Sequence, residues 1–310
     1  MASQSKRERV TAAVEGREPD RVPVSFWYHF PLEHPSGEPL AEAEVAFVRK
    51  YDPDFLKVMH DLPLDLPDGM TRIEDPADWT KLRPLDPRQG NFAEQLEALR
   101  LIRRELALDI PIIDTVFNPF AAAGKLCGKR LMEHYRANPK AVKHGLQAIA
   151  VSIADYAAAW IEDGGDGIFY ALDGAQRTTM PEEEYREVFM PLDNLVLETA
   201  MEKGVLNVLH LHGTDIMFEM LHSLPNHVLN WSSELTYPNL REARGIHQGS
   251  IAGGVNEMEI LSRPPDEVMA EVRRAVAEAG ASGFILTPGC AVPTDTPEEN
   301  LFAIRQVVEP

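Results

Sequence analysis

The chain has 310 residues, of which 44% are hydrophobic and 25% charged, the composition of an ordinary globular protein that can build a sizeable core. Its formal net charge of −19 argues against nucleic acid or an anionic membrane surface as a partner, because both require clustered Lys and Arg. Two cysteines are too few for a disulfide framework, and neither a leader-like segment nor a long apolar stretch occurs. We therefore expect a cytoplasmic protein that does not bind a membrane.

Segments of strand and helix character alternate along the chain. Eight segments rich in β-branched and aromatic residues are predicted strands: Val22–Phe30, Asp54–Met59, Ile110–Phe117, Gly167–Leu172, Asn207–Leu211, Val228–Ser232, Gly249–Gly253 and Gly283–Pro288. A short helix is predicted at residues 4–15, and helical periodicity follows each strand, most clearly at Phe92–Leu106, Pro139–Glu162, Glu182–Lys203 and Asp266–Ala279. The Pro- and Asp-rich span Leu62–Arg88 is expected to be irregular and to run over the surface or over the mouth of a pocket.

This alternation predicts the fold class. Strands separated by helices imply right-handed crossovers and a parallel sheet. Eight such units predict an α/β protein with a parallel, eight-stranded (β/α)₈ TIM barrel, formed by a single domain over residues 1–310. An open doubly wound sheet is the alternative, but no G-x-G-x-x-G turn follows the first strand or occurs elsewhere in the sequence.

Polar residues concentrate where the predicted strands end, which in such a barrel is the functional face. We interpret Asp173 and Glu234 as candidate catalytic groups for proton transfer or substrate orientation. Other strand ends supply candidate substrate-binding residues, namely His29, His60, Asn118 and Asn256. Side chains of this kind also cap helices, so Asn118 and Asp173 have a structural interpretation as well.

Three further strand-end residues form a candidate metal site. His210 and His212 are two residues apart in strand sequence and therefore project to the same side. Cys290 follows the last strand and a Pro-Gly turn, and it could meet them at the same mouth. Imidazole nitrogen and thiolate suit Zn²⁺, whose catalytic sites keep three protein ligands and one open position. The alternative is a hydrogen-bonded His pair beside a merely buried Cys290.

Zinc with an open position can deprotonate a thiol, polarise an oxygen or activate a water. The second cysteine, Cys127, lies on a predicted turn between helices, away from the strand ends. We expect it to belong to the core.

Three stretches of the chain resemble the uroporphyrinogen decarboxylase superfamily. They are the tail Thr287–Asn300, the opening segment Arg7–Pro23 and the turn Gly253–Leu261. The likeness spans nearly the whole chain. It implies a (β/α)₈ barrel, in agreement with the strand count.

The resemblance is greater to one branch of this superfamily. True uroporphyrinogen decarboxylases use an Arg-Gln-Ala-Gly-Arg segment after the first strand to bind the substrate carboxylates, whereas this chain has no Arg between Arg21 and Arg49. The chain is similar to the corrinoid-dependent methyltransferases, which hold zinc with a His-x-Cys-Gly strand end and a Cys in the tail. His210 and Cys290 match that pattern, and His212 replaces its middle cysteine.

The resemblance implies a zinc-dependent methyltransferase that moves a methyl group between a corrinoid (cobalamin) and a thiol or an O-methylated small molecule. Its expected partners are a small-molecule substrate and a corrinoid protein, with His210, His212 and Cys290 holding the zinc. Because His212 removes one negative charge from the ligand set, transfer to a thiol could be altered. A metal-assisted hydrolase and a uroporphyrinogen decarboxylase-like lyase are the alternatives.

Overall fold

Seven parallel strands in chain order form the sheet of the computed structural model, which describes residues 3–106 and 108–309. The strands are β1 (Leu56–Val58), β2 (Ile112–Phe117), β3 (Gly167–Leu172), β4 (Val208–Leu211), β5 (Val228–Trp231), β6 (Ser250–Val255) and β7 (Phe284–Pro288). Each strand pairs in parallel with the next. All seven carboxyl ends therefore lie at one edge of a curled sheet.

Twelve α-helices are found in the described residues, and most connect successive strands. They are α1 (Lys6–Val14), α2 (Gly37–Tyr51), α3 (Gly90–Glu105), α4 (Pro119–Cys127), α5 (Leu131–Ala137), α6 (Pro139–Glu162), α7 (Glu182–Val188), α8 (Met190–Lys203), α9 (Phe218–Leu221), α10 (Leu240–Ile246), α11 (Pro265–Ala279) and α12 (Glu298–Val307). No helix in the described part of the chain is long and apolar enough to cross a bilayer.

The segment Val22–Phe30, predicted as the first of eight strands, does not form a strand. Val24 makes a single parallel bridge with Leu286 of β7. On its other side, the Val24 carbonyl accepts a hydrogen bond of 2.7 Å from the Asp54 N–H, just before β1. Pro23 has no N–H to donate, so a continuous ladder cannot form there. The described sheet thus has seven strands, with this segment placed between β7 and the start of β1.

A buried ion-pair network holds this segment in place. The Asp54 carboxylate is fully buried and accepts hydrogen bonds of 2.7 Å from both Arg9 and Arg21. It also accepts the Val24 N–H at 2.8 Å. Two guanidinium groups and a backbone N–H donate hydrogen bonds to the carboxylate, and these interactions offset the free-energy cost of burying its charge. The network fixes α1 and the Val24 segment to the start of the sheet.

Side chains alternate between the two faces of the curled sheet. Ile113 and Phe169 point into its interior, where they join a small apolar cluster that includes Trp27. Their neighbours Ile112 and Ile168 belong instead to the larger core beneath the helices. The Trp27 and Phe169 ring centroids are 4.8 Å apart, so the interior is packed. The space open to a ligand lies above this layer, at the carboxyl ends of the strands.

Two connections differ from the sequence expectation. Glu182–Lys203 was expected to be one helix, but it is divided at Phe189 into α7 and α8, and Pro191 in the first turn of α8 accounts for the break. The span Leu62–Arg88 contains a 3₁₀ helix, Pro76–Lys81. Its Trp79 is buried and donates a 3.1 Å hydrogen bond to His134 on α5. The middle of this span therefore packs against the helices.

Candidate metal centre

His210, His212 and Cys290 meet at the carboxyl edge of the sheet. One ligand atom from each residue lies within 4.8 Å of the other two. His210 is the third residue of β4, His212 follows that strand, and Cys290 follows β7. The two-residue strand period places both imidazoles on the interior side, as the sequence predicted.

A glycine lets the Cys290 segment approach β5 closely. A Cβ at Gly289 would lie 2.5 Å from the Ser232 Cα and 2.8 Å from Glu257 Oε2. Contacts this short are impossible for real side chains, so only glycine fits between the two segments. Gly289 therefore allows the adjacent thiol to reach the histidines.

Asn230 on β5 fixes the tautomer of His210. Its amide nitrogen donates to the carbonyls of Ala252, at 3.1 Å, and Pro288, at 3.2 Å. The amide oxygen must then face His210 Nδ1, 2.7 Å away, and accept its proton. His210 Nε2 consequently carries the lone pair. A metal-ligating histidine is oriented in the same way.

His210 Nε2 is a buried atom with no hydrogen-bond partner among the described residues. Burying an unpaired ring nitrogen costs free energy. Its lone pair is directed toward the group that also contains His212 and Cys290. A metal ion at this point would accept the lone pair, so the residues present fit a zinc site.

The surroundings of Cys290 favour the deprotonated form of its thiol. Burial raises the pKa of Cys290, but the adjacent imidazoles of His210 and His212 outweigh that effect and lower the pKa to about 4. The contact with Cys290, in which Sγ is 3.7 Å from Nδ1, raises the pKa of His212, while burial opposes the increase. A thiolate is the form of cysteine that binds metal.

We expect the metal-free protein to show an alkylation rate at Cys290 that hardly depends on pH between 6 and 8. A thiol with an ordinary pKa gains about a hundredfold in thiolate over this interval, whereas a thiol with a pKa of about 4 is already deprotonated throughout. Iodoacetamide labelling followed by peptide mass spectrometry measures the rate. A cysteine-containing peptide in the same mixture, whose thiol has an ordinary pKa, is the control for the hundredfold increase. A hundredfold increase at Cys290 would contradict the expectation.

The three residues form part of the wall of a cavity of about 720 Å³. This volume lies in the range of small-molecule sites. Most of its lining is apolar, including Trp27, Met59, Phe117, Phe120, Leu131, Met132 and Phe169, and its charged side chains are Lys57, Lys125, Lys129 and Asp173. A small molecule in the cavity would reach the metal-ligating atoms in surroundings with little water.

Two of the other predicted site residues also line this cavity. His29 Nδ1 is 3.0 Å from a carboxylate oxygen of Asp61. Asp173 accepts a 3.0 Å hydrogen bond from the amide nitrogen of Gln176, which also donates to the His212 carbonyl at 2.6 Å. Asp173 is thereby connected to the backbone of a candidate ligand.

The structure places the other four predicted residues elsewhere. His60 lines a separate cavity of about 30 Å³, and its Nδ1 lies 3.3 Å from the Asp114 carboxylate. Asn118 caps α4, as its structural interpretation anticipated. Asn256 accepts hydrogen bonds from the N–H groups of the turn that follows it. Glu234 forms an ion pair of 2.6 Å with Arg274 on α11. The residues found to line the large cavity include none of these four.

Sequence reasoning missed two buried charged residues near the centre. Lys57 on β1 is 4% exposed and lines the large cavity, and its signal was a charged residue inside an otherwise apolar strand. Glu257 is also 4% exposed, and it accepts a hydrogen bond from Ser232 Oγ. Its second oxygen has no hydrogen-bond partner among the described residues. Burial raises the pKa of Glu257.

Comparison with known proteins gives two kinds of curated relative. Methylcobamide:CoM methyltransferase MtbA of Methanosarcina acetivorans is 24% identical over 230 residues, covering 74% of this chain and 67% of the relative. Uroporphyrinogen decarboxylase of Carboxydothermus hydrogenoformans is 26% identical over 251 residues, covering 76% and 69%. The relatives of both kinds are enzymes, and those of the first kind support methyltransferase activity for this chain.

The fold has a close structural counterpart. A methyltransferase from Methanosarcina mazei superposes with a TM-score of 0.83 over 98% of each chain, at 20% sequence identity. At that identity the similarity establishes the fold alone. The profile of the uroporphyrinogen decarboxylase (URO-D) family matches residues 5–310. Because this match covers nearly the whole sequence, the chain belongs to the uroporphyrinogen decarboxylase family.

Proposed function

We propose that this protein is a zinc-dependent methyltransferase that moves a methyl group between a corrinoid and a thiol or an O-methylated small molecule. One observation carries the proposal. The ligand atoms of His210, His212 and Cys290 lie within 4.8 Å of one another, at the wall of a cavity of small-molecule size. The methylcobamide:CoM methyltransferases among the relatives support the same reaction class.

In this proposal zinc is held by Nε2 of His210, an imidazole nitrogen of His212 and Sγ of Cys290. Two neutral nitrogens and one thiolate are borderline-soft ligands that suit Zn²⁺, and they disfavour Mg²⁺ and Ca²⁺, which prefer oxygen. Bound zinc would supply Lewis acidity at its open position, which favours the deprotonated form of a substrate thiol or polarises an ether oxygen.

The chain's own residues position the substrate and exclude water. The apolar rings of Phe117, Phe120 and Phe169 line the cavity and strengthen the electrostatic interactions within it. Asn230 holds the His210 ring in the ligating tautomer. Asp173 accepts a hydrogen bond from Gln176, which also donates to the His212 carbonyl, and in this way Asp173 helps to position the His212 loop. Its carboxylate can also accept a proton from the substrate.

His212 gives this site a different charge from a His-Cys-Cys set. Replacing a thiolate by a neutral imidazole leaves a bound zinc one unit more positive and a bound thiol sulfur less electron-rich. That change favours an oxygen ligand more than a thiolate-rich site would. We therefore keep O-methylated small molecules beside thiols as candidate substrates.

The corrinoid would be presented from outside the cavity. The volume of about 720 Å³ suits a small molecule, and a complete corrinoid is larger than the ligands such cavities enclose. We propose that a corrinoid protein docks at the mouth, so that its methyl group faces the substrate atom at the metal. Neither nucleic acid nor a membrane is a proposed partner, and the proposed location is the cytoplasm.

We also infer that the family fold is completed here as a single (β/α)₈ barrel domain over residues 1–310. The support is the position of the Val24 segment, which hydrogen-bonds to β7 on one side and to Asp54 on the other. In the barrel this segment takes the place of the eighth strand.

A uroporphyrinogen decarboxylase-like lyase is the second candidate, because decarboxylases are among the relatives at 26% identity. The cavity lining argues against it. Its cations are lysines, and the described lining includes no arginine that could bind carboxylates in a bidentate manner. A metal-assisted hydrolase, with Asp173 as the base, is the remaining alternative.

The test combines metal analysis with a methyl-transfer assay. Protein purified without added metal should contain one zinc per chain, and it should demethylate methylcobalamin in the presence of a thiol, as followed by the visible spectrum. Methylation of the thiol is confirmed by mass spectrometry. Turnover of uroporphyrinogen, or a zinc-containing protein that transfers no methyl group to or from any tested thiol or methyl ether, would overturn the proposal.

A further inference from the structure

Glu257 is a buried carboxyl group without a cationic partner. It lies in the turn after β6, is 4% exposed, and accepts a hydrogen bond from the Ser232 hydroxyl through one oxygen. Its other oxygen has no hydrogen-bond partner among the described residues. No Lys, Arg or His nitrogen in that part of the chain lies within 4.0 Å of the carboxyl group. A buried carboxylate is costly in free energy unless a nearby positive charge compensates it.

The unpaired oxygen of Glu257 lies against the backbone that carries Cys290. A Cβ added to Gly289 would be 2.8 Å from Glu257 Oε2, so this oxygen is in contact with the residue that precedes Cys290. The same Cβ would be 3.0 Å from the Ser232 hydroxyl oxygen. Ser232, Glu257 and Gly289 thus pack together where three neighbouring strands end, β5, β6 and β7. This packing places the carboxyl group directly behind a candidate ligand.

The carboxyl group also interacts electrostatically with the candidate ligands. Burial raises the pKa of Glu257, and the hydrogen bond from Ser232 opposes this increase. The negative charge of Cys290 raises the same pKa further, whereas His210 lowers it. The contact with Cys290 is the main cause that raises the pKa of His212, and the negative charge of Glu257 adds to it. The charge of Glu257 is therefore felt throughout the candidate metal centre.

Glu257 is neither a candidate ligand nor part of the cavity wall. The group of ligand atoms within 4.8 Å of one another, as found in the described part of the chain, does not include its oxygens. The described residues that line the large cavity do not include it either. The carboxyl group thus faces the centre from the protein side, where its charge can act but its atoms do not meet a substrate.

The charge of the ligand set gives this carboxylate a role. Zn²⁺ carries two positive charges, and the Cys290 thiolate compensates one of them, whereas neutral imidazoles compensate none. A His-Cys-Cys set would compensate both, but His212 occupies the middle position of the strand end in this chain. An uncompensated charge in surroundings with little water is costly. A carboxylate behind Cys290 can offset it and still leave the open position of the metal free.

We propose that Glu257 is a non-ligating carboxylate of the metal centre, which supplies from behind Cys290 the negative charge that the ligand set lacks because of His212. Zinc in turn supplies the positive charge that the buried carboxylate lacks in the protein alone. Groups just outside a ligand set commonly change metal affinity by about ten- to a hundredfold. The inference rests on the zinc ligands of the proposed function and extends the site to a residue that touches neither zinc nor substrate.

The test is the zinc affinity of Glu257→Gln, measured on metal-free protein by competition with a chromophoric chelator. Glutamine keeps the shape of the side chain and the acceptor for Ser232, so the variant removes the charge alone. The affinity should fall by about tenfold or more. The thermal unfolding temperature of the metal-free protein should be unchanged or higher, because the substitution removes a buried acid that has no cationic partner. A purely structural role predicts the opposite, a lower unfolding temperature with unchanged zinc affinity.

A double-mutant cycle tests the link between Glu257 and His212. His212→Cys adds a second thiolate to the ligand set, so the charge of Glu257 is no longer needed there. In this background Glu257→Gln should lower the zinc affinity by about threefold or less, because the two changes are coupled.

Glu271→Gln is the matched control. Glu271 on α11 is also a buried glutamate, 5% exposed, but its charge is compensated by an ion pair with Arg263. The same chemical change at this position should alter the zinc affinity by no more than about twofold.

A zinc affinity of Glu257→Gln within about twofold of the wild type would overturn the assignment. So would an equal loss in both backgrounds, an equal loss in Glu271→Gln, or a wild-type protein that binds no zinc. Because the readout is metal binding, a protein whose zinc affinity depends on Glu257 but which transfers no methyl group would refute the proposed function alone. Methyl transfer by a protein whose zinc affinity is independent of Glu257 would refute this inference alone.

Discussion

Cys290→Ala should lower the affinity for zinc by about a thousandfold or more and abolish methyl transfer, while leaving the far-ultraviolet circular dichroism unchanged. The variant loses the thiolate of the proposed ligand set, and two imidazoles alone bind zinc weakly. Cys290 lies in a loop after β7, so its side chain does not support the sheet. Elemental analysis after dialysis against a weak chelator measures the effect.

Cys127→Ala is the matched control, because it makes the same chemical change at the other cysteine. Cys127 is fully buried at the end of α4 and belongs to the large hydrophobic core. Its replacement should cost about 1 kcal/mol of stability through lost packing and leave the zinc content at one per chain. If Cys290→Ala retains stoichiometric zinc, the ligand assignment is wrong.

Asn230→Ala should weaken zinc binding by about ten- to a hundredfold, although Asn230 does not touch the metal in the proposed site. The substitution removes the oxygen that accepts the His210 Nδ1 proton, so the ring is no longer held in the tautomer that presents Nε2. It also leaves the carbonyls of Ala252 and Pro288 without their donor, which should cost about 1–3 kcal/mol of unfolding free energy.

Asn207→Ala makes the control for the loss of stability. Asn207 lies just before β4, three residues before His210. Its side chain accepts a hydrogen bond from the Ile168 N–H and donates one to the Ala200 carbonyl, and it does not contact His210 in the described structure. Its replacement should destabilise the protein by a similar amount without affecting zinc. Equal zinc affinity in the two variants would show that Asn230 has a structural role only.

Sequence patterns alone were sufficient to predict that the three candidate ligands meet, because the rules involved do not depend on side-chain packing. The two-residue period of a strand orients His210 and His212, and the parallel crossovers place Cys290 at the same edge. The resemblance to the superfamily is confirmed by the profile match over residues 5–310. Neither inference needed the detailed packing of side chains.

The features that the sequence did not predict depend on how side chains and segments pack in three dimensions. Glu234 follows β5, but its carboxylate forms an ion pair with Arg274 on α11. The two residues are far apart in the sequence, so no sequence pattern predicts this ion pair. Lys57 is a charged residue within an apolar strand, but the sequence does not reveal which residues of a strand face a cavity. The Val22–Phe30 segment has strand composition, yet Pro23 lacks an N–H and the segment forms only two isolated bridges, Val24 with Leu286 and Tyr28 with Val292.

The bridge between Val24 and Leu286 also bears on how the protein acquires its metal. Val24 and Leu286 are separated by most of the sequence, and we expect their contact to form late, because joining such distant residues costs more chain entropy than joining near ones. Cys290 lies just beyond Leu286, whereas the two histidines belong to a strand pair that needs only nearby neighbours. A chain in the last stage of folding would therefore present two imidazoles before the sulfur arrives, and tight retention of zinc would mark the arrival of the native state.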